Sequence, residues 1–120
     1  MFLFVYGSLK RGFKYHYILE PKGKFITEAK TIKKFSLYEY KDSGFPYMSE
    51  KESLNIKGEL YEINDLTEID HLEGYPIFYD RKKIRLIGNN GIKYEGYCYF
   101  LKEKIKEKKE PFNEWLITME

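Results

Sequence analysis

The segment Met1-Phe2-Leu3-Phe4-Val5-Tyr6-Gly7-Ser8-Leu9-Lys10-Arg11-Gly12 decides how the chain is read. Its first six residues form an apolar run with no polar alternation, the pattern of a strand buried on both faces. Gly7 ends the run, and Gly7 to Gly12 reads as a loop. The run is far shorter than the roughly 18 apolar residues a membrane span needs, and it lacks the basic start and cleavage site of a leader. The expectation is a central strand that delivers a loop rich in backbone donors.

Outward from this segment, Tyr15 to Leu19 reads as a brief helix closed by Pro21 and Gly23. Residues 24–40 hold two β-prone stretches, followed by the turn Lys41-Asp42-Ser43-Gly44 and by Phe45-Pro46-Tyr47-Met48. Asn55 to Ile63 predicts a strand whose central Gly58 marks a bulge or a close backbone approach. Asp65-Leu66-Thr67-Glu68 is a capping-box variant, and the helix it opens runs to about Glu73, where Gly74 and Pro76 stop it. Tyr79 to Ile87 and Ile92 to Phe100 predict a hairpin around Gly88-Asn89-Asn90-Gly91. Residues 102–110 form a mixed-charge, solvated segment before the closing stretch 112–119. Hairpin chemistry, about six strands and two short helices give an α+β fold, a small mixed β-barrel of about five to seven strands with short flanking helices.

Composition bounds the chemistry. The chain has 120 residues, one domain by length, with 101–120 a charged C-terminal segment. At 42% hydrophobic and 33% charged it is a globular rather than a disordered sequence. The 18% aromatic content favours strands and a tightly packed interior. One cysteine and two histidines exclude an internal disulfide and a structural zinc site, which suits a reducing, cytoplasmic setting without a metal cofactor. A net charge of +2 is too mild to point to nucleic acid, and no membrane partner is expected.

The candidate chemistry has four readings. Gly7 and Gly12 have the spacing of a phosphate loop, but Phe13 stands at its lysine position, so nucleotide binding is disfavoured. Ser8 lacks the surrounding glycines of a nucleophile elbow, and His16 or His71 would act as its base only if the fold brought one alongside. The loop can also bind a carboxylate or an oxyanion through its N–H groups. Glu73 stands out because Leu66, Ile69 and Glu73 share one helical face at i, i+3 and i+7. Burial there and the helix C-terminus would both raise its pKa. From the pattern alone, a basic carboxylate and a solvated glutamate on a fraying turn stand level. Asp70 and Glu68 read as solubilising charges.

Val5-Tyr6-Gly7-Ser8-Leu9-Lys10-Arg11-Gly12 resembles the Y-G-[ST]-L-[KR]-x-G signature of the γ-glutamylcyclotransferase-like superfamily. Glu73-Gly74-Tyr75-Pro76-Ile77-Phe78-Tyr79-Asp80-Arg81 is similar to its second motif, E-x-x-P-x-x-Y-x-R, and Phe45-Pro46 matches an intervening F-P. His16 falls at the family's Asn-His position, with Tyr15 in place of the Asn. The resemblance covers residues 2 to about 100 and points to the γ-glutamylamine cyclotransferase type. It implies a small mixed barrel and a cofactor-independent lyase or acyltransferase. Such an enzyme releases 5-oxoproline and a free amine from a small γ-glutamyl amide by intramolecular aminolysis. It also implies Glu73 as catalytic acid/base, with Tyr6, Gly7, Ser8, Leu9 and Tyr79 binding substrate, and assigns no catalytic role to Arg81. The amine half of the substrate would lie over walls built by Phe45 to Met48 and the segment after Phe100. Two rivals are a non-catalytic module holding a small carboxylate on the same barrel and a serine hydrolase built on Ser8.

Overall fold

The computed structural model describes residues 1–116; the end of the closing stretch, 117–120, lies outside the described residues. The elements in chain order are β1 (Phe2–Val5), α1 (His16–Leu19), β2 (Gly23–Thr31), β3 (Phe35–Glu39), β4 (Pro46–Leu54), β5 (Lys57–Ile63), α2 (Thr67–Glu73), β6 (Tyr79–Gly88) and β7 (Lys93–Leu101). Five strands close into a barrel in the order β1-β5-β2-β6-β7, and β3 and β4 form a separate two-stranded sheet. The expected mixed barrel with two short helices is therefore what the chain adopts. Closure comes from β1, which pairs antiparallel with β5 and parallel with β7 through Leu3 and Tyr97.

The unbroken apolar run of β1 is explained by two cores, one on each face of the barrel wall. Leu3 and Val5 pack with Leu19 of α1, Leu66 and Ile69 of the α2 region, and Tyr61 and Tyr99. Phe4 and Tyr6 pack with Phe35, Leu37 and Met48 from the β3–β4 sheet, and with Leu60 and Phe100. Successive residues of a strand face opposite sides, so a strand covered on both sides has no polar position to spend.

Gly58 is a close backbone approach rather than a bulge. A Cβ placed there would lie 2.4 Å from the Val5 carbonyl oxygen and 2.7 Å from the Phe4 ring. The register shift in this pairing sits instead on β2, between Phe25 and Thr27. The expected β6–β7 hairpin forms, with Tyr79 opposite Leu101 and Ile87 opposite Lys93. Its turn is braced by Asn90, whose Oδ1 accepts the Ile92 N–H at 3.0 Å. The expected capping box does not form: the N-cap is Leu66, without a side-chain cap bond, and Asp65 Oδ1 accepts the Thr67 N–H at 3.0 Å in a turn ahead of the helix. Glu68 turns outward to Lys22 at 2.7 Å instead of reaching back to the helix start.

Two extents differ from the sequence expectation. β4 continues through the polar residues Ser49 to Ser53 because it pairs with β3 alone, leaving much of this stretch open to solvent. The charged segment after β7 is solvated, as expected, yet it is tied down along the β3–β4 sheet. Glu103 accepts the Tyr40 hydroxyl at 3.0 Å and pairs with Lys41, also at 3.0 Å. Phe112 bridges Leu37, and Trp115 beyond it is 1% exposed. An isolated late tryptophan carries no periodic signal that would announce its burial.

The crowding at Gly58 makes a direct prediction. Gly58→Ala forces β5 away from β1 and should destabilise the fold by about 2–3 kcal/mol. Urea unfolding measures this, and an unchanged midpoint would show that the strands part at no cost.

Candidate functional site

A cavity of about 330 Å³ opens where β1 gives way to the loop beginning at Gly7. Tyr6, Gly7, Ser8, Leu9, Glu73 and Tyr79 all line it, so six residues from distant parts of the sequence meet at one place. Phe45, Pro46, Phe78 and Leu72 supply apolar walls, and Tyr15, Lys14 and Tyr99 also line the cavity.

The first carbonyls of the loop all accept hydrogen bonds. Gly7 O accepts the Lys10 N–H at 3.0 Å, Ser8 O accepts the Tyr15 N–H at 2.8 Å, and Leu9 O accepts from His16 Nδ1 at 2.8 Å. Among the described residues, no protein acceptor takes the N–H groups of Ser8 and Leu9. At Ser8 and Leu9 the loop therefore has open donors and occupied carbonyls, an arrangement that suits an anion.

Lys10 and Arg11 serve the same end from outside the cavity. Lys10 Nζ, buried, donates to the Trp115 carbonyl at 2.6 Å. Arg11 donates to Glu59 through its backbone N–H at 2.9 Å and its Nε at 3.2 Å, with its guanidinium 3.8 Å from the Phe25 ring centroid. Gly7 has its own steric reason, since a Cβ there would stand 2.7 Å from Pro46 Cγ.

His16 is thus a brace for the loop. A carbonyl only accepts, so Nδ1 carries the proton, which leaves Nε2 3.8 Å from Glu20. His71 lies exposed on α2. Neither histidine hydrogen-bonds the Ser8 hydroxyl, and the geometry does not favour a serine nucleophile.

Glu73 is the last residue of α2, followed by Gly74 in the left-handed conformation. Leu66 and Ile69 are buried as their shared face required, and they carry Glu73 to the cavity wall. The residue as a whole is only half-buried because it is open toward the cavity. Protein nonetheless surrounds the carboxyl densely enough that burial pushes its pKa from 4.5 up to about 7. Burial is one of the two effects expected from the sequence.

The tyrosines around it are committed to structure. The Tyr6 hydroxyl donates to the Tyr99 carbonyl at 2.8 Å and the Tyr79 hydroxyl to the Pro46 carbonyl at 3.2 Å. Burial first, and then neighbouring groups that include Glu73, push both phenols well above their ordinary pKa, so they stay neutral. Their share in the cavity is a ring face and an oxygen still able to accept.

Asp70 corrects the sequence reading. It is no solubilising charge: its carboxylate pairs with Arg81 and accepts the Tyr99 hydroxyl at 2.5 Å. Its position three residues before Glu73 was the available signal, together with Arg81 standing in the second motif. Among the described residues, no group of three or more His, Cys, Asp or Glu side chains is placed to hold a metal ion.

The family model described as gamma-glutamyl cyclotransferase, AIG2-like, matches residues 3–116. The chain belongs to this family. The match extends past Phe100, so the family pattern includes the tethered segment that the two sequence motifs left uncovered. A Methanocaldococcus jannaschii protein named "Putative gamma-glutamylcyclotransferase" is 40% identical over 105 residues, 85% of each chain. A Drosophila melanogaster protein with the same designation is 32% identical over 108 residues, 83% of this chain and 69% of the other. In fold, the crystal structure of an AIG2-like protein from Mus musculus superposes with a TM-score of 0.85 at 23% identity, covering 95% of this chain and 86% of that one.

The buried carboxyl has a consequence for stability. A carboxyl whose folded pKa lies above its unfolded value binds more protons in the folded state between about pH 4.5 and 7, so stability falls as pH rises through that window. Glu73→Gln should therefore leave the melting temperature near wild type at pH 4.5. Above pH 7.5 it should raise it, by at most roughly 3 kcal/mol of stability. Equal melting curves at pH 8 would mean that the carboxylate is well solvated.

Proposed function

We propose that the protein is a γ-glutamylcyclotransferase-type enzyme that releases 5-oxoproline and a free amine from a small γ-glutamyl amide, with Glu73 as acid/base. The single observation that carries this reading is the Glu73 carboxyl, without a hydrogen-bond or ion-pair partner among the described residues and buried beside a loop with open N–H donors. A site built only to hold a carboxylate ligand would be weakened by a second negative charge in it, so the binding-module reading is disfavoured.

The chemistry runs within one substrate molecule. An α-ammonium of ordinary pKa near 8 gives its proton to the Glu73 carboxylate, whose raised pKa of about 7 makes the transfer nearly even. The freed amine attacks the γ-carbonyl carbon and forms the new C–N bond of a five-membered lactam, with negative charge gathering on the carbonyl oxygen. Glu73 passes this proton to the departing nitrogen, and the ring nitrogen sheds its second proton to the same carboxylate as the old C–N bond breaks. Glu73 then hands that proton on, so the products are a neutral lactam and an ammonium ion. No water, metal or redox cofactor enters the balance.

In this reading the N–H groups of Ser8 and Leu9, which line the cavity, serve either the substrate α-carboxylate or the developing oxyanion. Tyr6, Tyr79 and the Phe45, Pro46 and Phe78 walls shape the cavity around the folded-back conformer. Because the reaction is already intramolecular, holding that conformer is a large part of the catalytic task. The buried Cys98 thiol takes no part in this scheme, and a single free cysteine suits a reducing, cytoplasmic setting.

The test is incubation of the pure protein with a panel of γ-glutamyl amides while 5-oxoproline is followed. Wild type should convert at least one member, and Glu73→Gln should lose about 10²- to 10⁴-fold in kcat. Activity should fall as pH drops through about 7, because protonated Glu73 cannot accept the ammonium proton. No turnover with any amide, or a fully active Glu73→Gln, would refute the proposal. Ligand-dependent thermal stabilisation without turnover would select the binding module.

A further inference from the structure

Asp70, Arg81 and Tyr99 meet one helical turn from Glu73. Asp70 precedes Glu73 by three residues on α2, so the two side chains leave neighbouring points of the helix surface. The Asp70 carboxylate pairs with Arg81 Nη1 and accepts the Tyr99 hydroxyl at 2.5 Å. The Arg81 guanidinium also lies 4.4 Å from the Tyr75 ring centroid and 5.2 Å from that of Tyr97. The Asp70 and Arg81 side chains are each 22% exposed, so this pair is partly withdrawn from water. At the other end of Tyr99, its carbonyl accepts the Tyr6 hydroxyl at 2.8 Å. A continuous polar path thus joins the end of β1, β7, α2 and β6.

A helix of two turns does not hold its own position. Leu66 and Ile69 anchor the start and middle of α2, while its last turn has Asp70 as a polar anchor. The other ion pair made by α2, Lys22 with Glu68, is exposed and contributes little.

We propose that Asp70, Arg81 and Tyr99 are positioning residues that pin the last turn of α2 to β6 and β7, keeping the Glu73 carboxyl inside the cavity. The inference rests on the reading of Glu73 as the proton acceptor. Losing a partner from the partly buried pair leaves its charge uncompensated, and the turn can answer by moving outward toward water. A displacement of about 1 Å admits solvent to Glu73 and costs roughly 10²-fold in rate.

The groups facing Glu73 allow a clean readout. Tyr6 from the end of β1, Tyr79 from β6 and Cys98 from β7 all have their pKa pushed up, burial first, and stay neutral around pH 7. Lys14, exposed, is the cation lining the same cavity, and Asp70 is the nearest acid along the helix. Removing the Arg81 cation would by charge alone raise the Glu73 pKa, whereas letting water reach Glu73 lowers it. The two effects have opposite signs.

The experiment is an NMR titration of the Glu73 carboxyl, with kinetics alongside, in Arg81→Met, Arg81→Lys, Tyr99→Phe and Lys22→Ala. Arg81→Met should lower the Glu73 titration by about one unit, and Tyr99→Phe should shift it the same way by less. Arg81→Met should also lose about 10- to 100-fold in kcat with KM changed less than about threefold, and Arg81→Lys should recover part of that loss. Lys22→Ala should change neither quantity. A titration raised or unmoved in folded Arg81→Met, or an equal drop in Lys22→Ala, overturns the positioning role. If Arg81→Met does not fold, Tyr99→Phe decides, and an unmoved titration there is the overturning result. These shifts seen in a protein that makes no 5-oxoproline would uphold the positioning role and remove the cyclotransferase reading.

Discussion

The parallel contact of β1 with β7 closes the barrel, and the site depends on that closure. β1 has only four residues, yet it is held by β5 on one side and β7 on the other. Its end is therefore a fixed point from which the loop at Gly7 departs. The Tyr6 hydroxyl extends the same closure by one side-chain bond to the Tyr99 carbonyl. The backbone at Gly58 must come close to Val5 for β1 to lie in this position, which excludes any side chain there.

Given that frame, the loop and Glu73 are presented in complementary ways. The loop is braced by Glu59, His16 and the Trp115 carbonyl. Its Gly7, Ser8 and Leu9 carbonyls accept hydrogen bonds, and the Ser8 and Leu9 N–H groups remain open among the described residues. Glu73 has the reverse treatment: apolar neighbours carry it in, and no donor among the described residues meets it. One feature offers fixed positive dipoles and the other a carboxyl whose charged form is costly. A substrate that brings both an anion and a removable proton relieves both conditions at once. The aromatic side chains allow this, because rings can exclude water while the Tyr6 and Tyr79 hydroxyls are satisfied by backbone carbonyls.

Much of this was legible in the sequence because local rules sufficed. The apolar run at the start, the Asn-Gly hairpin, the stop at Gly74 and Pro76, and the Leu66–Ile69–Glu73 face are short-range patterns with direct structural meaning. The six residues expected at the site line one cavity because two motifs, each local, specified them. Asp70 was misread because its partners, Arg81 and Tyr99, are 11 and 29 positions away. The burial of Trp115 and the tethering of the charged segment escaped for the same reason.

By itself the sequence determined the element types, the mixed barrel, the family motifs and the candidate carboxylate, since each is written in spacing and residue type. Only the tertiary structure decided whether Glu73 is dry or wet, which loop groups are spent, and what Asp70 and Arg81 hold. Desolvation and hydrogen-bond satisfaction depend on which atoms are adjacent in space, and adjacency across a closed barrel is not a property of any local stretch of chain.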